Sequence, residues 1–288
     1  MLIGTPGIGK STWAANAPKP IFIGAEENDE LESDRFPYAQ TFDDFLKQLT
    51  SLCADSRGYQ TVVVDTIDSV EKLLHTKILS DDPKKTGSMM SAFGGYGKAY
   101  EKAVSHMVQV RTLLKSLRDD KKMNVILLAH VKKSKATDTI LGLDYDTYES
   151  TLHRDTQALF VDWVSAVLFA TYVATKREGE NSDKVYAMGH GQRIVYTEKR
   201  PGHLGKNRYE LPYQMDLDFD QFFGLYNAFY AGQERPIEAI IGEINGLMSN
   251  VSDEKLKSAV ATSVSEAGTD RVKLGRILTR VRERVGVA

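Results

Sequence analysis

A chain of 288 residues can hold one α/β domain of ordinary to large size with a small appendage. Its 42 % apolar and 26 % charged residues are globular values that exclude wholesale disorder. With 37 basic residues against 39 acidic, the net charge of −2 excludes a generally polybasic protein, so any nucleic-acid contact must come from local patches.

The first predicted element is a strand of only Met1, Leu2 and Ile3 leading into GTPGIGKST. Gly4, Gly9, Lys10 and Ser11 fit the spacing G-x-x-x-x-G-K-[ST], whose purpose is to wrap backbone N–H groups around a polyphosphate. Glycine lets the main chain approach the phosphate oxygens, Lys10 reaches the β- and γ-phosphates, and the Ser11 hydroxyl can ligate Mg²⁺. Gly4, Thr5, Pro6, Gly7, Ile8, Gly9, Lys10, Ser11 and Thr12 are therefore the candidate nucleotide-binding residues, with ATP and Mg²⁺ as cofactors.

Next, Pro20-Ile-Phe-Ile reads as a buried strand that ends in the carboxylate pair Glu26 and Glu27. Either one could polarise an attacking water. Cys53 stands among Phe45, Leu46, Leu49 and Leu52 at helical spacing, which makes it a packing thiol in a reducing compartment. Thr61-Val-Val-Val is a second buried strand, and Asp65 at its tip either holds Mg²⁺ together with Ser11 or caps a helix that begins at Ile67. A polar connection from Asp81 to Gly97 precedes a helix over Tyr100 to Leu117, whose Val104, Met107, Val110, Leu114 and Leu117 share one face. The strand Asn124 to Ala129 carries His130 at its carboxyl end, where a polar group can bond the γ-phosphate and respond to its departure.

A second long polar connection is expected from Lys132 to Thr151, then a strand over Ser165 to Ala170. The apolar run from Val164 to Ala174 is too short to span a bilayer, no secretory signal pattern precedes Gly4, and no membrane partner is expected. Later strands are Val185–Met188 and Arg193–Thr197, after a polar turn at Lys176–Asp183. Residues 231–236 have linker-like composition and divide a core of residues 1–232 from a helical module of residues 233–288, with Ser252 as a helix cap. In that module Arg271, Lys273, Arg276, Arg280, Arg282 and Arg284 crowd a short amphipathic stretch. Strands alternating with helices predict an α/β fold with a mostly parallel central sheet flanked by helices.

Taken in order and spacing, GTPGIGKST, IFIGAEEN, VVVDT and VILLAH resemble the RecA-like P-loop NTPase core, and the chain to about Leu217 resembles phage-encoded ATP-binding proteins of single-strand annealing and recombination. The resemblance implies that Glu26 is the catalytic glutamate, that Asp65 is the Walker B carboxylate, and that His130 replaces the usual sensor glutamine. It also implies that the two long polar connections are DNA-binding loops. Aromatics that stack on bases and nearby cations mark Phe93, Tyr96 and Lys98 in the first, and Lys132, Lys133 and Lys135 in the second. Lys206 and Arg208 match Lys-x-Arg pairs that enter a neighbouring subunit's ATP site in filaments and rings, where such a finger contributes ~10³ or more to the rate. Expected partners are single-stranded DNA, further copies of the chain in a filament or ring, and a single-strand DNA-binding protein, in the cytoplasm of a host cell. A helicase or packaging motor would share every nucleotide residue, and a nucleotide-gated DNA-binding module with little turnover is a further alternative. Glu26 on a strand tip apart from Asp65 favours water over a small metabolite as the phosphoryl acceptor.

Overall fold

The computed structural model describes residues 1–27, 31–138, 141–173, 175–179, 182–188, 191–234, 236–249 and 251–285. β1 (Leu2–Gly4) feeds the glycine loop and α1 (Lys10–Ala15), β2 (Pro20–Ile23) precedes α2 (Phe42–Ala54), and β3 (Thr61–Val64) precedes α3 (Ile67–Ser80) and α4 (Lys98–Asp119). Then come β4 (Asn124–Thr137), β5 (Asp144–Ser150), α5 (Arg154–Trp163), β6 (Ala166–Tyr172), β7 (Thr175–Gly179), β8 (Ser182–Met188), β9 (Arg193–Tyr196), β10 (Lys206–Asn207) and β11 (Gln214–Asp216). Helices α6 (Phe219–Glu234), α7 (Ile237–Ser249), α8 (Glu254–Ala267) and α9 (Arg271–Val285) complete the chain.

The central sheet runs β11-β9-β6-β1-β4-β3-β2. From β6 to β2 every pairing is parallel, so β1, β3 and β2 present their carboxyl ends at one edge, which β4 crosses at His130. β9 and β11 add antiparallel strands beyond β6. The expected mostly parallel sheet flanked by helices is thus the one formed. Three residues suffice for β1 because both its neighbours are in place, with Leu2 opposite Leu128 on one side and Leu168 on the other.

Near-continuous apolarity in these strands reflects burial on both faces. Ile3, Ile21, Ile23, Val62, Val64, Leu127 and Ala129 join a core with Phe45, Leu49, Leu74, Met107, Leu114 and Phe160 from α2 to α5. The residues between them, Leu2, Phe22, Val63 and Leu128, are buried as well and face the other way by strand alternation. Cys53 packs against the first core, its Sγ 3.5 Å from Leu113 O, and burial pushes the thiol up. Local capping fixes where helices start: Thr41 and Asp44 form a reciprocal capping box on α2, and Thr66 Oγ1 accepts the Ser69 N–H at the start of α3. Asp65 is therefore not the cap of α3.

Several expectations need correction. Lys132–Thr151 is not a loop: β4 continues through Thr137 and pairs antiparallel with β5, from Val131↔Ser150 to Thr137↔Asp144. Its alternating polar side chains carry no apolar period, so the hairpin cannot be told from a loop by hydropathy. Lys176–Gly179 lies in β7, paired with β8, and only Glu180 and Asn181 between them fall outside the described residues. The first connection, Asp81–Gly97, does remain largely irregular, held by Asp82, whose carboxylate accepts N–H bonds from Thr86 at 2.8 Å and Phe93 at 3.0 Å. Ala231 to Glu234, read as linker, are the end of α6. The α8 cap is Asp253 and not Ser252, since its Oδ1 accepts the N–H groups of Lys255 and Leu256.

By internal contacts the chain divides into two compact units, Met1–Asp220 and Gln221–Ala288. The second has its own core of Ile240, Ile244, Met248, Ala267, Leu274, Leu278 and Val281, and Arg282 of α9 is bonded to Glu243 of α7. Among the described residues, no helix is long and apolar enough to cross a membrane.

Candidate nucleotide-binding and hydrolysis site

The glycine loop runs from the end of β1 to the start of α1, at the carboxyl edge of the sheet where ligands of open parallel sheets bind. Thr5, Pro6 and Gly7 are exposed, Ile8 is buried beneath them, and Thr12 is exposed one turn later. Gly9 precedes α1 with φ +102°, a conformation that glycine alone adopts without strain. Lys10 is buried, its Nζ donating to Gly4 O and Thr5 O at 3.1 Å each. Burial pushes this amine down, and the carboxylates of Glu26, Asp65 and Asp68 oppose that shift.

Around the loop, strand order decides which side chains meet. β4 lies between β1 and β3, with His130 in register with Gly4. Asp65 follows the last residue of β3, and its Oδ2 accepts the Ser11 hydroxyl at 2.8 Å across 54 residues of sequence. Burial pushes the Asp65 carboxyl up against that bond. A cation at this oxygen pair would relieve the penalty. Among the described residues no group of three or more His, Cys, Asp or Glu could hold a metal. The hydroxyl and carboxylate oxygens of Ser11 and Asp65 suit Mg²⁺, which takes one or two protein ligands and completes its shell with water and phosphate oxygens.

At the tip of β2 the backbone turns sharply. Gly24, at φ +147°, has no room for a Cβ because the Asp65 carbonyl stands against it, and this approach lets the Glu26 N–H reach Asp65 O at 3.4 Å. The Asp65–Thr66 peptide is cis. Glu26 Oε2 accepts the Thr66 hydroxyl at 2.9 Å and lies 3.4 Å from Ser69 Oγ. Its other oxygen lies 3.4 Å from His130 Nε2. Glu27 is exposed, and Asn28 beyond it is outside the described residues. Only Glu26 of the pair is gathered into the site.

Sequence reasoning did not single out Asp68, which completes this group. Its carboxylate is 2 % exposed and accepts both the backbone N–H of His130 and its ring Nδ1, each at 3.0 Å. Burial alone would raise the acid, yet these bonds hold it at about 2. An ionised carboxylate only accepts, so Nδ1 carries the proton and Nε2 faces Glu26. Asp68 stands one residue into α3, three after Asp65, and nothing local distinguishes it from an ordinary first-turn acid. Arg193 was also missed. It opens β9, and its Nη1 sits 3.4 Å from Ile8 O on the rim of the loop.

The residues proposed for DNA and for a neighbour lie elsewhere. Phe93 is half-buried against the main core, with Lys102 Nζ 4.8 Å from its ring centroid, whereas Tyr96 is 96 % exposed and Lys98 is exposed beside it. Lys132, Lys133 and Lys135 are exposed on β4, but Lys132 pairs opposite Glu149, Lys135 opposite Asp146, and Lys133 forms a 2.7 Å ion pair with Asp146. Alternation places Lys132 on the opposite face of the hairpin from the other two. Lys206 is in β10, beside the amino end of β6, and its Nζ donates to Val161 O at 2.7 Å and Asp162 O at 2.9 Å. It closes the end of its own α5, so the sequence expectation that this ammonium reaches a neighbour is corrected: it is engaged on carbonyls of its own chain. Arg208 nearby is exposed.

A loop that embraces phosphate, a strand-tip carboxylate on its serine and a glutamate on a separate strand define a P-loop nucleotide-binding protein. A family model described as an AAA domain matches residues 1–209, and the chain belongs to that family of P-loop ATPases. No curated protein matches the chain.

Proposed function

We propose that this protein is a Mg²⁺-dependent ATP hydrolase with a RecA-like core, acting on single-stranded DNA in annealing or recombination, with ATP sites completed between copies of the chain. The observation that carries the hydrolase reading is Glu26, fixed by Thr66 and facing His130, beside the Ser11–Asp65 pair. Mg²⁺–ATP bound in the loop supplies an electrophilic γ-phosphorus and a metal that balances its charge. Lys10 would steady the phosphates, Ser11 and Asp65 would hold the metal, and Glu26 would take the proton of the attacking water while the bond from the γ-phosphorus to the bridging oxygen of the leaving ADP breaks. Thr66 and Ser69 orient the Glu26 carboxylate, and Asp68 holds the His130 ring at the site's edge.

The RecA-like assignment is supported by the order β6-β1-β4-β3-β2, which separates the glutamate strand from the Asp65 strand and inserts the His130 strand beside the loop. The DNA reading rests on less: exposed Tyr96 and Lys98 in one loop, and exposed Lys132 and Lys135 on a hairpin whose lysines face carboxylates. For the neighbour's site Arg208 is the candidate cation, since Lys206 is engaged in its own subunit. ATP turnover measured with and without single-stranded DNA, on samples of known size, tests all three parts. Stimulation by DNA, steeper than linear in protein concentration, is the expected result. Turnover that is fast, linear in protein and indifferent to DNA would leave a hydrolase and remove the DNA and assembly readings. Tight ATP binding without turnover would favour the nucleotide-gated module.

A further inference from the structure

We propose that Arg193 is a phosphate ligand of the same site, supplied in cis by β9, and that it clamps the triphosphate from the side opposite Lys10. This rests on reading the loop as a triphosphate site. In the register of the sheet, Gly4 pairs with Ala170, and Tyr172 pairs with Arg193, so β9 begins opposite the tip of β6, two residues beyond the level of Gly4. The guanidinium turns inward to the loop. Nη1 lies 3.4 Å from Ile8 O and 2.5 Å from the position a Cβ on Gly9 would occupy. A Cβ at position 9 would have to push this side-chain end aside, and the φ of +102° there favours glycine in any case.

That contact engages one donor out of the five a guanidinium carries, and a neutral carbonyl at 3.4 Å does not balance its charge. Among the described residues no carboxylate is paired with Arg193. The nearest acid on β11, Asp216, stands opposite Ile194 and so on the other face of the strands, where Gln192 Nε2 bonds it at 3.2 Å. The backbone at Arg193 is fixed, its carbonyl accepting the Leu217 N–H at 3.1 Å. Two cations, Lys10 from α1 and Arg193 from β9, therefore lie against one loop of about six residues. A polyphosphate held in the loop would give each of them a charge-assisted contact. Arginine suits the outer position because its planar fork matches phosphate oxygens in pairs.

Calorimetric titration of the parent, Arg193→Ala, Arg193→Lys and Lys10→Ala with Mg²⁺–ATP and with Mg²⁺–tripolyphosphate tests this, alongside melting temperatures without ligand. Loss of a charged hydrogen bond predicts that Arg193→Ala weakens both ligands by about tenfold to a hundredfold. Arg193→Lys should recover part of the loss, with the ligand-free melting temperature unchanged and the affinity of each variant independent of protein concentration. Unchanged affinity in Arg193→Ala, while Lys10→Ala abolishes binding, would overturn the assignment and leave the nucleotide reading intact. A loss confined to ATP would make Arg193 a base or ribose contact. A loss matched by a fall in the ligand-free melting temperature would make it only a brace on the Ile8 carbonyl. If the parent itself bound neither ligand, the nucleotide reading would fall and this proposal with it.

Discussion

The two compact units handle charge in opposite ways. At the carboxyl edge of the sheet Lys10, Asp65 and Asp68 are buried, with Glu71 behind them on α3, whereas every buried residue of the helical unit is apolar. Among the described residues of that unit Arg271, Arg276, Arg280 and Arg284 are exposed and Arg282 is bonded to Glu243. Burying a charge is unfavourable unless it is paired and hydrogen-bonded, so a fold that retains Lys10 and Asp65 beside one glycine loop keeps them at a cost that a bound ligand would offset, while Asp68 is held by its bonds to His130. An apolar core carries no such message. Substitution in one region should therefore alter chemistry with little change in folding, and substitution in the other the reverse.

The largest break is expected from Lys10→Ala, which removes the cation that reaches the phosphates and should abolish measurable ATP binding while leaving the melting temperature near the parent's. Binding at the parent's affinity would mean the buried charges serve something other than a nucleotide. Leu274, fully buried in the helical unit, is the counterpart. Leu274→Ala should destabilise that unit by about 2–5 kcal/mol. Denaturant melts read by a probe in the second unit would show this, and ATP affinity should stay unchanged; a large loss of affinity would erase the contrast between the units.

Glu26→Gln keeps the shape and the bond from Thr66 but loses the base, so turnover should fall by ~10² or more with ATP still bound. Glu27→Gln, at an exposed site, should do nothing to the rate. An unaltered rate in Glu26→Gln with a fall in Glu27→Gln would reassign the water-orienting role.

The smallest effect is expected at Asp68, where chemistry and stability overlap. Its folded acid constant, held at about 2, lies below the ordinary carboxylate value of about 3.9. Such a group stabilises the fold fully above the unfolded value, and that stabilisation is lost as pH falls toward the folded one. The parent should therefore exceed Asp68→Asn by about 2 kcal/mol at neutral pH, a gap that closes between pH 4 and pH 2. Urea melts across that range would measure it, and a gap that persisted at pH 2 would deny the ionised Asp68–His130 contact. Turnover by Asp68→Asn should fall less than by Glu26→Gln, because the His130 ring is loosened and not removed.

Local chemistry determined a good part of this protein from sequence alone. The glycine loop from Gly4 to Ser11 is legible because its residues serve one ligand from one contiguous stretch, and the buried strands are legible because burial on both faces leaves unbroken apolar runs. Asp65 could be placed at a strand tip for the same reason, and His130 at the edge of the sheet, although β4 runs on past it to Thr137. Tertiary structure decided the remainder. Whether Glu26 or Glu27 belongs to the site depends on how Gly24 passes the Asp65 carbonyl, a contact between strands that are separate in sequence. Asp68 looks like any acid in a first helical turn until β4 brings His130 against it, 62 residues later. Arg193 is 185 residues from Ile8, and only the antiparallel addition of β9 to β6 carries it to the loop. The hairpin of β4 and β5 was hidden because the residues it buries, Thr147 and Ser150, are polar, and hydropathy records apolar burial, not hydrogen bonding. A sequence displays the forces that act between neighbours along the chain, whereas pairing between distant strands is fixed by the packing of the whole sheet.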